Sequence, residues 1–123
     1  MNAPVLPPGW PAEVRPPGSP DWERSAAGWL LDMCPADYRA YDVLRRHPIV
    51  LARFAARHVA AQVGANHDGL SAVRTDLRDV VAPDVVEAAA VVLEREGARL
   101  LALTRAVDLV EQALRGQRFR ARL

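Results

Sequence analysis

The side chains that could perform catalysis or bind a metal ion are few and widely separated in this sequence. No two of the three histidines, His47, His58 and His67, are three or four residues apart, the spacing that places two metal ligands on one helical face. The single cysteine, Cys34, has acidic neighbours, which raise a thiol's pKa and suppress its reactivity. No serine occupies a Gly-x-Ser-x-Gly turn, and there is no glycine-rich phosphate loop. We therefore predict no catalytic site, no metal site and no cofactor.

Arginine supplies every basic side chain except those of histidine, and arginines gather in two stretches. One begins a predicted long helix, and the other ends the chain. An antiparallel pair of helices would bring both stretches to one end, where the arginines could contact phosphates. The candidate contacts are Arg45, Arg46, Arg53, Arg57, Arg115, Arg118, Arg120 and Arg122. Association with nucleic acid is therefore the alternative function, although a net charge of only +1 gives no overall attraction.

Two long stretches carry an apolar residue at every seventh position, which is typical of helices that pack along one stripe. The last stretch has the row Val86, Leu93, Leu100, Val107 and Leu114. The stretch before it has the rows Ile49, Ala56, Val63, Leu70, Leu77 and Ala52, Val59, Asn66, Val73, Val80. Residues 64–69 have the composition of a turn, but the register continues through them, so we predict one helix; the alternative is two helices split there.

Asn66 is the only polar residue in these rows. It either fixes the register by pairing across an interface or is solvated at a bend beside Gly64 and Gly69. The chain reverses at residues 82–84, because Pro83 ends one helix and suits the first turn of the next.

The N-terminal region carries seven of the ten prolines within residues 1–20. We predict an extended arm, partly polyproline II, over residues 1–18. The arm either packs on its own domain or serves as a ligand for a proline-recognition module. Next comes a helix that starts with Ser19 as its cap. Its apolar face consists of Trp22, Ala26, Trp29, Leu30 and Met33.

The predicted fold is all-α: the extended arm, a short helix and a long antiparallel helical hairpin. A single helical domain spans residues 19–115, with helices over 20–33, 48–81 and 84–115, followed by an Arg-rich tail over 116–123. The last helix is apolar nearly all round, so it should be buried on more than one side.

The expected function is therefore a non-catalytic interaction or scaffold protein. It would associate with itself, as in an antiparallel four-helix core built from two hairpins, or with another helical protein. The interface candidates are Val91, Leu101, Leu109, Trp10, Trp22 and Trp29.

The expected location is the cytoplasm of a bacterium with a GC-rich genome. The first residues lack the basic and apolar segments of a signal peptide, and no run of 18 apolar residues suggests a membrane span. The use of arginine without lysine, and of a single isoleucine, fits GC-rich codons.

Overall fold

The computed structural model describes residues 5–117, and this range contains helices and turns but no strand. The all-α fold is therefore confirmed. The helices are α1 (Trp22–Asp32), a 3-10 helix (Ala36–Ala40), α2 (Asp42–Arg46), α3 (Pro48–Asp76) and α4 (Pro83–Leu114). Over the same range, no helix combines the length and the apolar character needed to cross a membrane.

Helices α3 and α4 form the predicted antiparallel hairpin, and α3 is continuous through residues 64–69. Asn66 links the two helices along this stretch. Its side-chain amide donates a hydrogen bond of 3.0 Å to the carbonyl oxygen of Leu93 on α4. Gly97 leaves room for it, since a Cβ there would lie 2.9 Å from the Asn66 Oδ1. Asn66 thus pairs across the seam between the two helices of one chain, where its side chain is half-buried, and α3 has no break beside it.

The reversal between the two long helices is longer than predicted. Helix α3 ends at Asp76 instead of residue 81, and α4 begins at Pro83. Asp79 adopts a left-handed conformation (φ 62°), which aspartate tolerates better than most residues. The amide of Val80 bonds to the Leu77 carbonyl in this turn, and its side chain points away from the seam. The seven-residue apolar repeat therefore continues past the end of α3, into the residues that form the turn.

The proline-rich segment follows a series of turns and is not extended. Backbone hydrogen bonds of 3.0–3.2 Å close the segments 7–10, 11–14 and 16–19. Gly9 and Gly18 each follow two prolines and have φ values of 94° and 87°. A proline followed by a glycine with positive φ is the pattern of a type II turn, and the repeated Pro-Pro-Gly is the sequence signal for it.

The proline-rich segment lies against its own domain. Pro7, Pro11 and Val14 are buried, and the Trp10 indole donates a hydrogen bond of 2.9 Å to the Val14 carbonyl. The Arg105 guanidinium of α4 bonds to the Pro8 carbonyl at 3.1 Å. Of the two alternatives left open by the sequence, packing on the same domain is the one present here.

Helix α1 begins at Trp22, two residues later than predicted. The Ser19 hydroxyl bonds back to the Pro16 carbonyl, so it does not cap the helix as expected. Ala26 and Leu30 of α1 are fully buried.

Nearly all of the buried core lies at one end of the hairpin. Its members are Val14, Ala26, Leu30, Cys34, Leu44, Leu51, Ala52, Ala55, Val59, Leu100, Val107 and Val110. We call residues 5–63 and 100–117 the base, because α1, α2 and the proline-rich segment cover the two long helices there. We call residues 64–99 the distal hairpin. In the distal hairpin the only buried side chains are those of Val73, Val86 and Ala90.

Candidate interaction surfaces

The distal hairpin exposes an unusual number of valines. Five of them lie within thirteen residues and are between 38% and 70% exposed: Val80, Val81, Val85, Val91 and Val92. Large apolar side chains scattered singly on a surface need no explanation, but a contiguous group marks a site of interaction. Because only two helices run through this half, nothing in residues 5–117 covers the outer side of α4.

Three of these valines belong to one face of α4. Val85, Ala88, Val91 and Val92, which we call the α4 stripe, are spaced by three, three and one residues, and all four are exposed. This spacing places them along one side of the helix. The stripe lies away from the seam, where the buried Val86 and Ala90 are located.

Charged residues stand at both ends of the α4 stripe. Asp84 precedes it and Arg95 follows it, and both are exposed. Neither takes part in an ion pair with any other residue of the range 5–117. The stripe is therefore an apolar patch with Asp84 at one end and Arg95, beside the exposed Glu94, at the other.

Other charged residues of the distal hairpin form ion pairs with residues of the same chain. Arg74 of α3 makes two hydrogen bonds of 2.8 Å to the Glu87 carboxylate of α4, and these bonds lower the pKa of Glu87. Arg99 bonds to Glu96 at 3.1 Å and lowers the pKa of that carboxyl in the same way. Both pairs are exposed, so each contributes little to stability.

The predicted interface residues fall into two groups. Val91 and Leu101 are exposed on α4, as a partner contact requires. Trp10, Trp22 and Trp29 pack against the core of the base, and Leu109 is half-buried there. These four side chains are largely occupied by contacts within their own chain.

Leu101 stands at an open groove between α3 and α4 on the base. The groove has a volume of about 380 Å³ and is lined by Arg53, Ala56, Leu101, Thr104, Arg105, Asp108 and Glu111. Its walls carry both signs of charge, and the groove is wide open to solvent, so its geometry selects no small molecule.

The groove contains a buried carboxylate that the sequence reading did not single out. The Glu111 side chain is only 8% exposed. Arg53 of α3 bonds to Glu111 Oε1 at 3.0 Å, and Arg115, the residue after α4, bonds to Oε2 at 2.9 Å. The sequence held two signals for this cluster: Arg115 follows Glu111 by four residues, and the hairpin brings Arg53 to the same end.

The arginines proposed to contact phosphate are mostly paired with acids. Arg45 and Arg46 both pair with Asp42, at 3.2 and 4.0 Å. Arg53 and Arg115 share Glu111. Within the part of the chain that is described, Arg57 is the one candidate without an ion pair. Arg118, Arg120 and Arg122 lie outside the described residues.

The residues considered for catalysis do not converge. Among residues 5–117 there is no group of three histidine, cysteine or acidic side chains close enough to hold a metal ion. The Cys34 thiol is buried, and burial raises its pKa, with the Arg39 charge opposing the shift. The direction agrees with the sequence reading, but the cause is burial and not the neighbouring acids.

No protein-family model matches this chain, and neither a curated protein nor a solved structure is significantly similar to it. The functional argument therefore rests on the chain's own surfaces.

Proposed function

We propose that this protein is a non-catalytic helical interaction protein that associates with itself through the distal hairpin. The observation that carries the proposal is the contrast between the two halves of the hairpin. In the base, a core of twelve buried side chains joins the long helices to α1, α2 and the proline-rich segment, although six large apolar side chains are exposed there. The distal hairpin is less than half as long, buries three side chains and leaves five valines exposed. Burial of apolar surface, at about 25 cal/mol per Å², is the main driving force for helix association.

A second copy of the chain is the partner that the surface fits best. Two hairpins that meet through their exposed faces form an assembly of four helices, and assemblies of packed helices are common. Most soluble oligomers are symmetric assemblies of identical chains. A two-fold axis places a patch of one copy against the same patch of the other.

The charge layout favours this function over phosphate binding. Four of the five described candidate arginines are already paired with Asp42 or Glu111. At these four arginines a phosphate would compete with the paired acids, whereas association through valines leaves the pairs intact. A binding reaction driven by phosphate contacts would also weaken steeply with salt.

The test is the solution mass, measured by size-exclusion chromatography with light scattering at two protein concentrations and at 0.1 and about 0.5 M salt. We expect a dimer that survives the higher salt and dissociates in Val92→Glu. The matched control is Val43→Glu on α2, because Val43 is similarly exposed but lies on the base. A monomeric parent protein at high concentration, or equal dissociation by both variants, would contradict the proposal.

A further inference from the structure

We infer that the two copies meet α4 against α4 in one antiparallel register, with Asp84 of each copy paired with Arg95 of the other. This inference rests on the proposed self-association and adds to it the face, the direction and the charge pairs. The α4 stripe is an exposed apolar face of the distal hairpin, and it lies between an acid and a base that form no ion pair within residues 5–117.

The register follows from the order of residues along the stripe. In an antiparallel pair, placing Asp84 level with Arg95 of the second copy also places Ala88 level with Val91 of that copy. The same offset brings Val85 within one helical turn of Val92 of the second copy. The two-fold axis then lies between Ala88 and Val91, so every contact occurs twice.

The side chains at this axis suit a close approach of two helices. Interaxial distance depends on the size of the side chains at the contact, and alanine is the smallest that a helix interior favours. Ala88 at the centre, with valines on either side, allows the helices to come together without polar groups between them. In a parallel arrangement like charges would meet instead, Asp84 against Asp84 and Arg95 against Arg95, which is unfavourable.

Asp84 and Arg95 cannot satisfy each other within one chain. They are eleven residues apart on α4, which is about 16 Å along the helix axis. Any measured coupling between the two positions must therefore arise between chains. This property makes the register testable by charge reversal.

The experiment compares the dimer dissociation constants of Asp84→Arg, Arg95→Asp and the double variant, by sedimentation at low salt. Each single variant places like charges together twice, and we expect its dissociation constant to rise about tenfold. The double variant reverses both charges and should restore the parent value within about threefold. Mixing the two single variants should also restore association, because the mixed dimer contains two opposite-charge pairs.

Charge reversals outside the stripe serve as controls. Asp68→Arg and Arg57→Asp change the net charge equally on exposed positions of α3, where the register places no partner charge. They should leave the dissociation constant unchanged.

The outcomes separate this inference from the function on which it rests. A parent dimer that responds equally to the stripe variants and to the controls, or a double variant that does not recover, would overturn the register alone. A monomeric parent would overturn both.

Discussion

Replacing Glu111 by alanine tests whether the buried carboxylate joins the two long helices at the base. The substitution removes the acceptor of hydrogen bonds from Arg53 on α3 and from Arg115 at the end of α4. We expect the folded state to lose stability, because each helix loses a charge-assisted contact and the two guanidinium groups are left without an acid.

The magnitude follows from burial. A hydrogen bond to a charged group is worth about 1.5–3 kcal/mol. The two guanidinium side chains are 50% and 47% exposed, so water replaces part of what they lose, and the two bonds together are worth about 2 kcal/mol. The unfolding entropy of a chain of this length is about 0.26 kcal/mol per kelvin, which converts that loss to a fall of about 8 °C in melting temperature.

The assay is thermal unfolding followed by circular dichroism at one fixed protein concentration, since the proposed association would also stabilise the folded state. Glu111→Gln keeps the shape and one acceptor oxygen, so it should lose about half as much. Asp32→Ala is the control: this carboxylate pairs with Arg39 but is largely exposed, and its loss should change the melting temperature by less than about 2 °C. If Glu111→Ala melted within that same range, the assignment of the cluster as a stabilising link would be wrong.

Three further predictions concern the glycines and the cysteine. Gly9→Ala should make the first twenty residues cleavable by protease, because Gly9 has a positive φ and packs closely on α4; unchanged cleavage would refute this. Gly64→Ala should raise the free energy of unfolding, measured by urea titration, by about 1 kcal/mol. Gly97→Ala should bring no such gain, since its Cβ would displace Asn66, and equal gains for the two variants would contradict this. The Cys34 thiol should react slowly with iodoacetamide until urea is added. Because its folded pKa is raised, the stability it contributes below its unfolded pKa should be lost as pH rises through the folded value.

The hairpin was predictable from sequence because its register is set by many residues at once. Rows of apolar residues seven apart outweighed the turn-like composition of residues 64–69, and α3 is continuous there. The bond from Asn66 over Gly97 was not predictable, because it depends on which residues of two helices lie side by side.

The ends of the elements were predicted less well, for local reasons. The row that contains Val73 continues to Val80, but the chain turns at Asp79 before that residue can reach the seam. The Pro-Pro-Gly repeats specify turns, and this signal was missed because prolines taken together suggest an extended arm.

The candidate surface was predicted in part. Val91 was named from the sequence, whereas Val85 and Val92 were covered only by the observation that the last helix is apolar nearly all round. The exposure of Val85 and Val92 depends on how far the base extends along α4. No local sequence pattern indicates that extent. Val80 and Val81 are exposed for the same reason, because the base does not reach the turn that contains them.

The uneven covering of the hairpin implies that its two halves open independently. Amide hydrogens in the base should exchange with solvent only on global unfolding, whereas those near Val80 should exchange through small, frequent local openings. A two-helix segment with three buried side chains has little cooperativity of its own. Under the proposed self-association, the order of this segment would depend on protein concentration. Dilution alone would then loosen the tip while the base stayed intact.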